Sequence, residues 1–124
     1  MTLTTKQQSL RTRALDLSRQ HRKVEARLID VIAQVDRERL FLRLGRASLF
    51  DYVVRELGLS EPVAYALITV SRKAAKIEPL RTAIACGQLT VAKASRVVAS
   101  LTSENAQELL AFATAHTTRE IDRE

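Results

Sequence analysis

Glycine, proline, cysteine and tryptophan are scarce or missing in this chain of 124 residues, which has three Gly, two Pro, one Cys and no Trp. So little turn punctuation, together with only 4% aromatic residues, argues against a sandwich or barrel of short strands. The lone Cys86 forbids an intrachain disulfide, and with only His21 and His116 beside it there are too few soft ligands for a closed zinc site. No apolar run approaches the roughly 20 residues that span a bilayer. The opening MTLTTKQQSLRTR has neither the apolar stretch nor the small-residue cleavage site of a secretory signal. A reducing cytoplasm is the expected compartment, and no membrane partner is expected.

What remains is rich in Ala, Leu, Arg and Glu, the composition of an all-α protein. Apolar residues at 46% are enough for a core, and the length suits one compact unit rather than a multidomain enzyme. The net charge of +6, from 20 basic and 14 acidic side chains, makes a phosphate-bearing partner the first expectation.

Between Gln7 and Leu44 there is neither Gly nor Pro. Apolar residues recur in steps of four and three at Leu10, Ala14, Leu17, Val24, Leu28, Val31 and Val35, with His21 filling the gap, and the repeat breaks only at Glu38 before Leu42. That pattern predicts a long amphipathic helix with coiled-coil character. A helix this long outreaches the compact body of a small chain, so it must protrude, and its seam needs a partner. A second copy of the chain is the simplest one, giving a homodimer, with a helix folded back on itself as the competing solution. His21 reads as a polar seam residue that fixes register. Residues 1–46 are therefore expected to form a dimerisation arm and 47–124 a small helical domain.

Within that domain Ser48 is placed to cap a helix with Leu49, Tyr52, Val53 and Leu57 inward. Gly58 ends it, and Ser60 caps another that buries Val63, Ala64, Leu67 and Ile68 and runs to about Ile77. Segment 48–77 thus has the helix, glycine turn and capped second helix of a helix-turn-helix, with Leu57 and Leu59 between the helices. Leu80 to Cys86 predicts a short helix closed by Gly87, with Cys86 buried or half-buried. Thr90 opens a helix burying Val91, Ala94, Val97, Val98 and Leu101, and Thr102 one burying Ala106, Leu109, Leu110 and Ala113. Thr117 to Glu120 has capping-box spacing, so a last helix begins where the chain stops, as in a fragment or truncated relative of something longer. His116, at a helix end, is expected to cap or to lie on the surface.

Charge is uneven. Residues 1–46 carry eleven basic and five acidic side chains, 47–78 four of each, 79–101 three basic and none acidic, and 102–124 two basic and five acidic. The candidate DNA-contacting set is Tyr65 and Thr69 nearest the bases, Arg72, Lys73 and Lys76 further along the same helix, and Arg19, Arg22, Lys23 and Arg27 on the arm. The N-terminal turn of the second helix offers no Arg, Asn or Gln for bidentate base reading, and Glu61 repels phosphate, so backbone contact outranks base readout. The bland alternative makes the arm cations a solvated face paired with Asp16, Glu25 and Asp30. No Gly-rich phosphate loop, nucleophile elbow or HExxH is present, so no catalytic residue, cofactor or small-molecule substrate is expected.

From about Leu40 to Asp122 the chain resembles the helical N-terminal region of bacterial HNH-endonuclease-type proteins. The likeness rests on Leu44-Gly45, on SLFDYVVRELGLSE at 48–61, on GQLT at 87–90 and on LTSENAQELL at 101–110, preceded by a long helix. The resemblance implies DNA engagement, dimerisation or both. In such proteins a C-terminal HNH module cleaves DNA, but this chain carries no HNH motif and no nuclease residue carries over. The expected function is a noncatalytic DNA-binding or targeting and dimerisation module, acting as a homodimer on double-stranded DNA. Its rival is a purely oligomerising or protein-interaction domain.

Overall fold

The computed structural model describes residues 2–116 and 118–123, and every regular element among them is helical. The long helix α1 (Thr5–Glu38) opens on a capping box. Thr4 Oγ1 accepts from the Gln7 N–H at 3.1 Å, and Gln7 Oε1 accepts from the Thr4 N–H at 2.9 Å. The predicted continuation to Leu44 does not occur. Arg39 takes φ 53°, in the left-handed region, and ends the helix where Glu38 interrupts the apolar repeat. A side chain there costs about 1–2 kcal/mol, offset by what the turn achieves. It redirects the chain into the short α2 (Leu40–Arg43) and lays Phe41 against the core, leaving Leu42 exposed.

With 34 residues, α1 extends about 51 Å at 1.5 Å per residue. All its residues up to His21 are exposed, whereas Ile29, Ile32 and Val35 are buried in the core. The boundary expected at residue 46 therefore moves back into α1, whose C-terminal third belongs to the globular body. Two seam assignments change with it. Val35 is buried by its own chain and Leu28 is half-buried against the same core, so neither is freely offered to a partner. Ile29 and Ile32 lie between heptad positions, on the face that flanks the seam on one side, and a search at heptad spacing passes over them.

Ser48 caps α3 (Leu49–Asp51), its Oγ accepting from the Asp51 N–H at 3.0 Å. The helix continues as a π-turn over Tyr52–Glu56, where the Leu57 N–H reaches the Tyr52 carbonyl at 3.2 Å. Leu49 and Val53 are buried as expected, but the wider turn swings Leu57 out to the surface while Leu59 stays packed on the core. Gly58, at φ 74°, makes the reversal that a Cβ would strain. Ser60 then caps α4 (Glu61–Ala74) through the Val63 N–H at 3.4 Å.

α4 is the hub of the fold, packing against α1, α3, the π-turn and the two helices that follow. It buries Ala64, Leu67, Ile68, Val70, Ser71 and Ala74, whereas Val63 in its first turn is exposed rather than inward. The Ser71 hydroxyl donates to the Ile29 carbonyl of α1 at 3.4 Å, which satisfies the buried polar group and ties the two helices together. The helix stops before Ile77 because Ile77 takes extended backbone ahead of α5 (Glu78–Ala85), with Pro79 in the first turn where its missing N–H costs nothing. Thr90 caps α6 (Val91–Val97), and Thr102 and Asn105 exchange hydrogen bonds at 2.8 and 3.2 Å ahead of α7 (Ala106–Ala115). The final α8 (Thr118–Arg123) adds Ile121 to the core. The predicted cap at Thr117 and Glu120 lies outside the described residues and side chains.

Candidate functional site

Two surfaces emerge from this packing, one on the arm and one on the outer face of α4. On the arm, Leu10, Leu17, Val24 and Val31 stand seven residues apart and are 53%, 61%, 59% and 53% exposed. Seven residues make almost two helical turns, so the four side chains form one stripe along a single face. Ala14 and His21 complete it, and both are exposed. The rest of the chain packs on α1 only from Arg22 onward and on another side of the helix, so these four stripe residues stay exposed.

Lys6, Arg11, Arg13, Arg19, Lys23 and Arg27 lie exposed along the same arm. Among the described residues none of them forms an ion pair, and the expected partner Asp30 reaches instead to Arg81, at 3.9 Å. Arg22 differs from its neighbours. It is half-buried, donates to Ser18 Oγ at 2.9 Å and lies over the Gly87 turn, where a Cβ would come within 3.8 Å of its Nε.

On α4, Tyr65, Thr69 and Arg72 share one face, as their spacing predicts, and Lys76 follows in the turn beyond the helix end. Tyr65 is 69% exposed, but the Thr69 hydroxyl is turned back onto the Tyr65 carbonyl at 2.7 Å. Arg72 is committed elsewhere: its Nε and Nη2 donate to the two carboxylate oxygens of Asp36 at 3.0 and 3.3 Å. That two-pronged hydrogen bond is the largest influence and raises the Arg72 pKa above its ordinary value; desolvation opposes it, and the Asp36 charge adds a smaller rise. An Arg with a raised folded-state pKa contributes stability that is complete below the unfolded value and is lost only as pH climbs past it, so this contact is constant through the neutral range. Lys73 is half-buried and Lys76 is exposed.

Two further arginines at the helix-turn-helix segment are also internally paired, whereas Lys73 and Lys76 form no ion pair among the described residues. Arg55 meets Asp51 at 2.9 Å and Arg46 meets Glu56 at 3.0 Å. The sequence reading missed Phe50, which is exposed and shares a shallow hollow with Tyr65, Thr69 and Arg72. Its position one residue after the buried Leu49 was the available signal, since adjacent helix residues point 100° apart. Cys86, expected to be at least half-buried, is exposed at the end of α5. His116 is half-buried, stacked on Phe112 at 3.9 Å with its Nδ1 2.7 Å from the Phe112 carbonyl. No helix in the described residues is long and apolar enough to cross a membrane. Comparison with family models, with curated proteins and with solved structures finds no match.

Proposed function

We propose that this chain is a dimerising helical module that holds phosphate backbone, most simply duplex DNA, along its basic arm. The observation that carries the reading is the uncovered stripe of Leu10, Leu17, Val24 and Val31 on a helix whose exposed cations have no ion-pair partner among the described residues. An apolar seam sustained for four heptads and left in water is costly, and a second copy of the same helix removes it from solvent at no cost in specificity. Arg19, Lys23 and Arg27 then serve as phosphate contacts. The resemblance to the helical region of HNH-endonuclease-type proteins, where dimerisation and DNA engagement are the implied tasks, supports the same reading. Tyr65, Lys73 and Lys76 form a secondary contact, and Arg72 joins them only if it leaves Asp36.

The test is a fluorescence-anisotropy titration of duplex DNA at two salt concentrations, with an Arg19→Gln, Lys23→Gln, Arg27→Gln variant alongside. Affinity that falls steeply with salt, and a shallower slope for the variant, is expected because each phosphate contact releases counterions. Absence of binding at low salt would overturn the DNA part. A second reading, oligomerisation alone, is favoured by one specific observation: the two arginines of the helix-turn-helix segment, Arg55 and Arg72, are spent on Asp51 and Asp36.

A further inference from the structure

We infer that two copies of the arm pair antiparallel, with Leu10 opposite the partner's Leu28, Ala14 opposite the partner's Val24 and Leu17 opposite the partner's His21. The inference rests on the dimerisation reading and adds the direction and register of the pairing. Its first support is the way the globular body interrupts the seam. Val35 is buried and Leu28 half-buried by the chain's own core, so the stripe is fully open only toward the N-terminus. A parallel pair would bring both bodies to the same end of the coil, each crowding the layers at Leu28 and Val35. In the antiparallel pair each body meets only the bare N-terminal end of the other arm, and the half-covered Leu28 layer receives the fully exposed Leu10.

Charge gives the second, independent support. Residues flanking a two-helix seam face different partners in the two orientations. In a parallel pair Lys6 faces the partner's Arg11, a like-charge contact made twice, and no opposite-charge pair forms across the seam. In the antiparallel register Arg11 faces the partner's Glu25, again twice. Both side chains lie free of ion pairs among the described residues, Arg11 exposed and Glu25 half-buried. Sliding by one heptad loses this pairing, and in one direction it also sets Leu10 against the buried Val35. The register has a like-charge contact of its own, Arg13 beside the partner's Arg27 on the opposite flank, also made twice, so its attractive and repulsive pairs balance where the parallel pair has repulsion alone. That flank gathers Lys6, Arg13 and Arg27 from both chains into one basic strip, which adjoins the outer-face Arg19 and Lys23 of the proposed phosphate contact through Arg27. His21 packs on a leucine in this arrangement and does not meet its own copy.

The orientation is tested apart from DNA binding, on the full chain. In a Cys86→Ser background, Ser18→Cys and Leu10→Cys are compared for disulfide-linked dimer under mild oxidation. Antiparallel pairing brings Ser18 beside the partner's Ser18 and holds the two Leu10 positions about 27 Å apart along the axis, so Ser18→Cys is expected to cross-link at least tenfold faster. Arg11→Glu is expected to weaken the dimer about three- to tenfold by sedimentation, and adding Glu25→Arg to restore it. Cross-linking of Leu10→Cys as fast as Ser18→Cys, or a dimer that Arg11→Glu strengthens or leaves unchanged, would overturn the orientation. A wild-type chain that stays monomeric would overturn the dimerisation reading itself.

Discussion

Arg39 shows how a single residue can override a long-range pattern. Its left-handed backbone ends α1 and seats Phe41 on the core, although nothing in its identity announces the turn, since Gly or Asn is the usual occupant. Replacing it by Gly should leave thermal stability unchanged or raise it by up to about 1 kcal/mol, whereas Arg39→Val should lower it by about 1 kcal/mol or more, because a β-branched side chain resists φ > 0. Calorimetric melting of the two variants checks this. Ser60 was legible for the opposite reason. A serine directly before a Glu-Pro helix start has one good use, and Ser60→Ala should cost about 1 kcal/mol in denaturant unfolding. Phe50 could have been read from its place one residue after the inward Leu49, but Cys86 was not legible, because a residue at a helix end is placed by packing that no local pattern records.

At the scale of elements, α4 and α6 follow from their serine and threonine caps, whereas α5 opens behind Ile77 and α7 behind Asn105 with no side-chain cap, so the expected cap at Thr102 falls short of the helix. Each of Ser60 and Thr90 accepts the N–H three residues on, and the apolar spacing after Thr90 predicts the buried set of α6. The π-turn was hidden, since one extra residue per turn leaves composition unchanged and shows only in Leu57 facing the solvent. α1 was read half correctly. Its stripe was plain in the sequence, but Ile29 and Ile32 belong to a second face that packing selects. The two faces should respond differently. Ile32→Ala removes a fully buried side chain and should cost about 2–5 kcal/mol in urea unfolding. Leu17→Ala, measured at concentrations dilute enough for single chains, should stay within about 0.5 kcal/mol of wild type. Equal losses at both positions would mean that the arm is folded back onto the body.

For the whole molecule, the distribution of charge matters more than the total of +6. Around the helix-turn-helix segment the arginines are held by neighbouring carboxylates and only Lys73 and Lys76 are left without an ion pair among the described residues, while most of the cations of the arm lie exposed beside the apolar stripe. The sequence pointed to α4 and the arm alike as phosphate-binding surfaces, and only the ion pairs separate them. No sequence rule would have paired Arg72 with Asp36, which lies on a different helix. In the proposed reading dimerisation and phosphate contact fall on one element, so a change that separates the chains should also weaken binding to duplex DNA, by removing half of the cations from each complex.

The pairing of the arms is the claim on which the rest depends, and sedimentation equilibrium of the wild-type chain and of Leu17→Glu and Val24→Glu tests it most directly. Wild type should show a concentration-dependent mass that rises to twice the chain mass, and each variant should remain a single chain with unchanged helical circular dichroism. A wild-type chain that stays single at every concentration, or glutamate variants that associate as well as wild type, would contradict the account.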